Sequence, residues 1–379
     1  MEEVAHNTSS QEVTEEDIES NLESQHFNEV IQSFQHYGHH YLHNLLKKKQ
    51  DFENLVTDSL QKETISDIYN YKIQKVAQGI KLNAGFLNLI TEDHHIFQNE
   101  FHSDIKEING GYSPTIENMD RVSITIKMIV RDWSKLGEIE RKLTYEPIKD
   151  CLEAHFKDYS NEKRHKLKVL VPGAGLGRLA YEIATLGFSV QGNEFSYFML
   201  LASSFMLNKS HQIECYDLYP YVTNFSNHLS IEDLIKGIKV PDILPHGLLP
   251  NVDFSMAAGD FVEVYTKEEQ LESWNSVVTC FFIDTAKNVL DYIQIIFNLL
   301  KPGGIWINIG PLLYHFEEIS SEHSIELTYE ELRLFILAVG FEIHDEKRVE
   351  VPYTSSLDSM LVHSYNCIVF NAIKPNKST

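Results

Sequence analysis

The sequence is short of several things, and each shortage narrows what it can be. Its longest apolar stretches, such as Val277 to Ile283, have the length of a buried strand, far below the roughly 20 residues that a helix needs to cross a bilayer. No membrane association is expected. The four cysteines, Cys151, Cys215, Cys280 and Cys367, are scattered without a C-x-x-C pair. That spacing excludes a disulfide framework and a zinc knuckle and points to a reducing compartment. Positive charge is also scarce, with 32 Lys and Arg against 55 Asp and Glu, and the net charge of -23 would repel a phosphate backbone. Only the short run Lys47 to Lys49 offsets it locally, so a small substrate is expected and nucleic acid is not. The first 24 residues lack Lys and Arg altogether, unlike a secretory signal or transit peptide. Their Glu/Ser-rich composition predicts a disordered acidic tail over residues 1–24. No internal repeat is present.

What is there falls into two textures. Residues 25–160 are helical in pattern, with Phe27, Val30, Ile31 and Phe34, then Ile68, Tyr71, Val76 and Ile80, then Ile124, Met128 and Ile129 at helical spacing. From 161 to 379 short β-rich runs alternate with helical segments, the rhythm of an open, mostly parallel sheet. Strands are predicted at Lys168–Val171, Ser189–Gly192, Phe254–Ala257, Ser276–Ile283, Ile305–Ile309, Phe341–Val349 and His363–Ala372, the last two as an antiparallel pair. The expected fold is α/β: a seven-stranded Rossmann-like methyltransferase sheet with an N-terminal helical module. A proline-bearing stretch at about 208–251 is too long for an ordinary connection and is expected to be an insertion that walls the substrate site.

The segment Leu170 to Leu179 reads as an apolar strand, a turn with Gly173, Gly175 and Gly177, and a helix start. Such a turn lets backbone approach a ligand at the carboxyl end of a strand. Glu194 follows Gly173 by 21 residues, at the end of the next strand, where an acid can accept both ribose hydroxyls of a nucleoside. Asp260 and Phe261 close the third strand and offer a carboxylate for an adenine amino group and an aromatic face for its ring. Arg178 stands where a dinucleotide fingerprint would have glycine, and a second nucleoside half is missing; both favour S-adenosylmethionine over NAD. Val171 stands where many methyltransferases carry an acid, so the cofactor's amino group must be held another way.

On the acceptor side, Asp284 lies just past a buried strand's carboxyl end, where a carboxylate bonded to one N–H of an imidazole would leave the other nitrogen nucleophilic. The competing reading makes Asp284 an N-cap for the helix containing Val289 and Ile293. Tyr314 and His315 follow the next strand, and Tyr365 and His363 share a face of the last one; each can bind substrate or merely pack. His36, His39, His40 and His43 share a helix face but lack the Cys or acid partners of a metal site, so no metal is expected.

With these residues in view the chain resembles the carnosine N-methyltransferase family. The likeness rests on Val130 to Ser134, Leu170 to Leu179, Gln191 to Glu194, Phe254 to Phe261, Cys280 to Ala286 and Lys301 to Phe316, and it runs from about residue 26 to the end. It implies methylation of the imidazole Nπ of carnosine to anserine by a cytoplasmic and nuclear enzyme that is dimeric in relatives. It also implies Arg131, Gly173, Glu194, Asp260 and Phe261 at the cofactor, with Asp284, His315 and Tyr365 at the dipeptide. Arg131, otherwise a surface ion-pair candidate, becomes a holder for the cofactor carboxylate. Met128 and His363 depart from the family pattern, which has Gln and Tyr there, and are expected to alter cofactor contacts and the pocket rim. The alternatives are another small imidazole peptide, a protein methyltransferase docking through the insertion, and a non-catalytic cofactor-binding scaffold.

Overall fold

The computed structural model describes residues 15–92, 114–354 and 359–376. The N-terminal helices are α1 (Glu15–Leu55), α2 (Ser59–Thr91), α3 (Ile116–Trp133) and α4 (Glu138–His155). Asp58 starts α2 by accepting the N–H of Leu60 at 2.9 Å, and Thr115 starts α3 by accepting that of Asn118 at 3.1 Å. Residues 1–14 of the expected tail lie outside the described residues, but residues 15–24 are helical, which corrects that part of the expectation. The reason is tertiary: the Tyr197 hydroxyl donates to Glu23 at 2.5 Å and the Tyr197 ring meets Phe27 at 5.1 Å. Composition alone cannot report a partner 170 residues away.

The α/β part runs β1 (Lys168–Pro172), α5 (Arg178–Thr185), β2 (Ser189–Glu194) and α6 (Tyr197–Asn208). The insertion follows, holding β3 (Tyr216–Leu218), α7 (Ile231–Leu234) and β4 (Ile238–Val240). Then come β5 (Phe254–Ala258), α8 (Phe261–Tyr265), β6 (Trp274–Cys280), α9 (Val289–Leu299), β7 (Leu300–Gly310), α10 (Tyr329–Val339), β8 (Glu342–Pro352) and β9 (Ser364–Ile373). The large sheet has the order β5-β2-β1-β6-β7-β9-β8, parallel except that β9 is antiparallel to both neighbours. The seven expected strands are all present. Strand order reverses between β1 and β6, so a crevice opens at their carboxyl ends.

One face of the sheet is covered by α8, α9 and α10, and the other by α4 and α5. Helix α6 is apolar nearly all round because it is buried between the sheet and the N-terminal helices. Its Phe198 meets Phe34 of α1 at 5.5 Å and its Phe205 meets Phe86 of α2 at 5.3 Å. The insertion is ordered: β3 and β4 pair antiparallel, and the buried Asn83 side chain of α2 donates to the Tyr219 carbonyl and accepts its N–H. No described helix is long and apolar enough to cross a membrane.

Candidate active site

The chain leaves β1 and reverses through Gly173 (φ +63°) and Gly175 (φ +54°), backbone conformations that side chains rarely adopt. A Cβ on Gly173 would stand 2.5 Å from the Phe282 ring, whereas one on Gly175 would meet nothing within 4 Å. The first glycine therefore lets the ends of β1 and β6 approach, and the second leaves a cradle open to a ligand.

Glu194 crosses this turn. Its Oε2 accepts the Gly175 N–H at 2.8 Å, and its Oε1 accepts those of Phe195 and Ser196 at 2.9 and 2.8 Å. Burial pushes the carboxyl above the usual carboxylate range, against the pull of these three donors. With roughly four lone-pair sites on a carboxylate, one ribose hydroxyl can be accepted directly and a second only by displacing the Gly175 N–H. That is tighter than the expectation that Glu194 takes both.

The end of β5 lies beside it, the Gly259 N–H donating to the Glu194 carbonyl at 3.0 Å. Asp260 caps α8, its Oδ1 accepting from Val262 and Glu263 at 2.8 and 3.2 Å, while its Oδ2 accepts from no described residue. The Phe261 N–H, first in its helix, has no acceptor within it. An acceptor beside a donor matches an adenine edge, whose amino group donates and whose ring nitrogen accepts. The expected aromatic face from Phe261 is corrected, because its ring is only 2% exposed and stands edge-on to Phe282 and Tyr292 at 5.3 and 5.0 Å. The exposed ring at this rim is Phe195, 69% exposed immediately after Glu194.

The C-terminal end of α3 folds over the glycine turn. The buried Trp133 indole donates to the Leu176 carbonyl at 3.3 Å, and Arg178 donates to the Asp132 carbonyl at 2.9 Å. Arg178 also pairs with Asp242 of the insertion at 2.7 Å, and Asp242 pairs with Arg141 of α4 at 2.7 Å. The residue that breaks the dinucleotide pattern is thus the pin between sheet, insertion and helices. Gly137, before α4, allows a contact no other residue could make: a Cβ there would lie 1.9 Å from the Arg131 carbonyl oxygen. Arg131 itself is held by its Nε to Asp132 at 2.8 Å, with Glu140 at 3.8 Å and the Tyr353 ring at 5.7 Å. Its Nη groups bond no described residue.

Strand β6 stops at Cys280 instead of reaching Ile283 as its apolar run predicts, because Phe281 takes φ +54°, a strained conformation for an aromatic residue. The kink sends neighbouring rings apart. Phe281 stacks on Tyr353 at 5.0 Å and meets Tyr365 at 6.2 Å, while Phe282 stacks on Tyr292 at 4.9 Å. Asp284 then falls on a buried 3-10 turn, its Oδ2 accepting the Leu313 N–H at 2.9 Å and its carbonyl accepting that of His315 at 3.2 Å. Burial pushes its carboxyl up, opposed by the Leu313 N–H and the His315 ring. The reading of Asp284 as a helix cap is overturned, since Asn288 caps α9 through the Leu290 N–H at 3.1 Å. His315 is exposed beside Asp284, whereas Tyr314 is buried with its hydroxyl donating to Leu327 at 2.7 Å. Tyr365 is half-buried in the aromatic cluster, and His363 is exposed, its carbonyl accepting the Tyr353 N–H at 3.0 Å. The Met128 sulfur accepts from the Tyr353 hydroxyl at 4.0 Å, so that departure touches the same ring as Arg131. Burial pushes the Cys280 thiol up to about 12, leaving it inert.

The insertion meets this pocket. Pro220 and Tyr221 line a small recess with Arg131, Glu140 and Thr354, and the Asn227 carbonyl accepts from the Met360 N–H at 2.9 Å and the Ser359 hydroxyl at 2.8 Å. Phe195, Phe281, Tyr353 and Glu140 escaped the sequence reading. Only Phe195 carried a usable signal, its place directly after the acid. Among the described residues no group of three His, Cys, Asp or Glu could hold a metal.

Fold and crevice together define an S-adenosylmethionine-dependent methyltransferase, and the cradle at Gly175, the Glu194 carboxylate and the Asp260–Phe261 edge fit that cofactor. The family model described as carnosine N-methyltransferase matches residues 110–376. The chain is 42% identical to carnosine N-methyltransferase of Rattus norvegicus over 362 residues, covering 94% of this chain and 88% of that one. It is 46% identical to the Schizosaccharomyces pombe enzyme of that name over 276 residues, covering 70% and 74%. Among solved structures, an S-adenosylmethionine-dependent methyltransferase from Methanosarcina mazei aligns at 16% identity and a TM-score of 0.35, over 55% of this chain and 93% of that one. The chain belongs to the carnosine N-methyltransferase family.

Proposed function

We propose that this enzyme methylates the imidazole Nπ of carnosine, giving anserine, in the pocket between Asp284 and the Phe281, Tyr353 and Tyr365 rings. The observation that carries the reading is the buried Asp284 carboxylate past the carboxyl end of the central strand, three residues after Phe281, whose ring packs with those of Tyr353 and Tyr365 into flat walls that suit an imidazole. S-adenosylmethionine supplies an electrophilic methyl group on a sulfonium. Glu194 holds a ribose hydroxyl, Asp260 and the Phe261 N–H take the adenine edge, and Phe195 shields its face. Gly173 and Gly175 would give the backbone access, and the Nη groups of Arg131, bonded to no described residue, would hold the cofactor carboxylate, a compensation for the acid missing at Val171.

Asp284 accepts the N–H of the acceptor ring and fixes the tautomer in which the other nitrogen has a lone pair for attack. As that nitrogen bonds to the methyl carbon, the carbon–sulfur bond would break with its electron pair going to the sulfonium sulfur, which leaves as a neutral thioether; positive charge develops on the ring and the same carboxylate stabilises it, then takes the proton. His315, exposed at the mouth, and Tyr365 bind the rest of the dipeptide. The reading extends to a homodimer in the cytoplasm and nucleus, as the resemblance of the motifs implies.

The test is a screen of small acceptors with labelled cofactor. Label should enter carnosine at Nπ, read by the ring-proton shifts of the product. Label found only in protein would transfer the acceptor pocket to a side-chain substrate.

A further inference from the structure

We propose that Glu140 is a positioning residue for the acceptor: its carboxylate ties the first turn of α4 to the exit of β8 and thereby sets Tyr353 between Arg131 and Phe281. The inference rests on the acceptor pocket assigned above.

The geometry is specific. Glu140 is 9% exposed, and its Oε2 accepts the Thr354 N–H at 2.9 Å while its Oε1 stands 3.8 Å from the Arg131 Nε. Thr354 has φ +46°, the left-handed region, which is costly for a β-branched residue and persists only where surroundings enforce it. Enforcement comes from two sides. The Tyr353 N–H donates to the His363 carbonyl at 3.0 Å, and one residue later the Thr354 N–H donates to Glu140. Between these anchors the Tyr353 ring has little freedom, and it stacks on Phe281 at 5.0 Å with 28° between planes. Without the Glu140 bond the strain at Thr354 would relax by turning Tyr353 away from the pocket.

The surroundings also make this anchor sensitive to pH. Around Glu140 stand Arg131 and Asp132 of α3, Arg141 on its own helix, Cys280 at the end of β6 and Tyr353 after β8, with Lys127 lining the same recess. Arg141 is turned away, its guanidinium donating to the Arg131 and Ser134 carbonyls and to Asp242. Burial pushes the Glu140 carboxyl up to about 7, against the pull of Arg131 and the Thr354 N–H. The ionised anchor is therefore lost as pH falls through neutrality.

The experiment is Glu140→Gln, which keeps the size and one acceptor oxygen but removes the charge. KM for carnosine at pH 8 should rise about tenfold with kcat within about twofold, and the Kd of carnosine for the protein loaded with S-adenosylhomocysteine should rise in parallel. The ratio of variant to wild-type KM should shrink towards one at pH 6, because the titration of the substrate's own imidazole is common to both proteins and cancels. Adding Thr354→Gly, which takes positive φ without strain, should recover most of the lost affinity. A KM within twofold of wild type at pH 8, a ratio that does not change with pH, or a double variant no better than the single one overturns the proposal. Amide exchange at Thr354 separates this from the acceptor assignment: it should quicken several-fold in Glu140→Gln. Unchanged exchange overturns the role of Glu140 whatever the acceptor, whereas a wild-type protein that leaves carnosine unlabelled refutes only the acceptor.

Discussion

The two halves of the crevice are built differently. The proposed cofactor half comes from strand ends adjacent in the sheet, with Gly173 after β1, Glu194 at the end of β2 and Asp260 after β5, the two carboxylates accepting from backbone N–H groups close by in sequence or on the adjacent strand. The proposed acceptor half is assembled from distant pieces: Phe281 and Asp284 after β6, His315 after β7, Tyr353 just past β8, Tyr365 on β9, and Glu140 from the N-terminal helices, which also bring Arg131 to the border between the two halves. A half made of local turns keeps its geometry when its neighbours move. A half made of remote segments depends on every contact that docks them, and it is the half that can be re-shaped for a different acceptor.

The sharpest way to break this comparison is to exchange the effects of the two carboxylates. Asp284→Ala should lower kcat about 10³-fold, some 4 kcal/mol of transition-state stabilisation, with the affinity for S-adenosylhomocysteine changed less than about twofold. Glu194→Ala should do the reverse, costing about 10² in cofactor affinity measured by calorimetry. Equal losses on both measurements would mean that the halves do not act separately.

Next in size is the docking itself. Arg178→Ala removes the pin between the glycine turn, Asp242 and the Asp132 carbonyl. The expected loss is about 3 kcal/mol of unfolding free energy in urea, the low end for breaking a buried pair, because Arg141 still neutralises Asp242. The affinity for carnosine should fall more than that for the cofactor. A variant as stable as wild type would show that the helices dock without this pin.

The smallest effect is one of pH. Glu140 has its carboxyl raised from 4.5 to about 7, and Glu194 and Asp284 are raised in the same direction by burial. The folded state thus binds protons more tightly than the unfolded one. The stability these groups contribute is fully present below their unfolded values and is lost as pH rises through the folded ones. Between pH 5 and 7.5 the unfolding free energy should fall on the order of 2 kcal/mol from Glu140. Glu140→Gln should flatten that part of the curve, as followed by thermal or urea unfolding at constant ionic strength.

How far the sequence could be read follows the same division. The strands were legible because each alternates or runs apolar for its own length, and only two bounds moved for an instructive reason. β6 ends early at the left-handed Phe281, and β7 begins at Leu300 because Leu300 already pairs with Trp274. No period in the sequence announces a positive φ at a phenylalanine. Phe261 was expected to show its ring, yet the ring fills the core under α9 and leaves the exposed aromatic to Phe195. Which of two aromatic residues near an acid faces outward depends on what covers them. The segment 15–24 was read from composition as tail, and a single hydroxyl, Tyr197 on Glu23, shows that it has a partner.

By itself the sequence determined the order of the α/β units, the glycine turn and the acids at strand ends, because strand period, turn stereochemistry and the place of a residue after a strand are local properties of the chain. Only the tertiary structure decided that Arg131 reaches the Tyr353 ring, that Arg178 clamps the helices to the turn, and that Phe281, Tyr353 and Tyr365 meet in one aromatic cluster. Those contacts join residues tens to hundreds of positions apart. They exist because burying the apolar faces of α3 and α6 together brings α3 over the sheet, a choice made by packing and not by any local stretch of sequence.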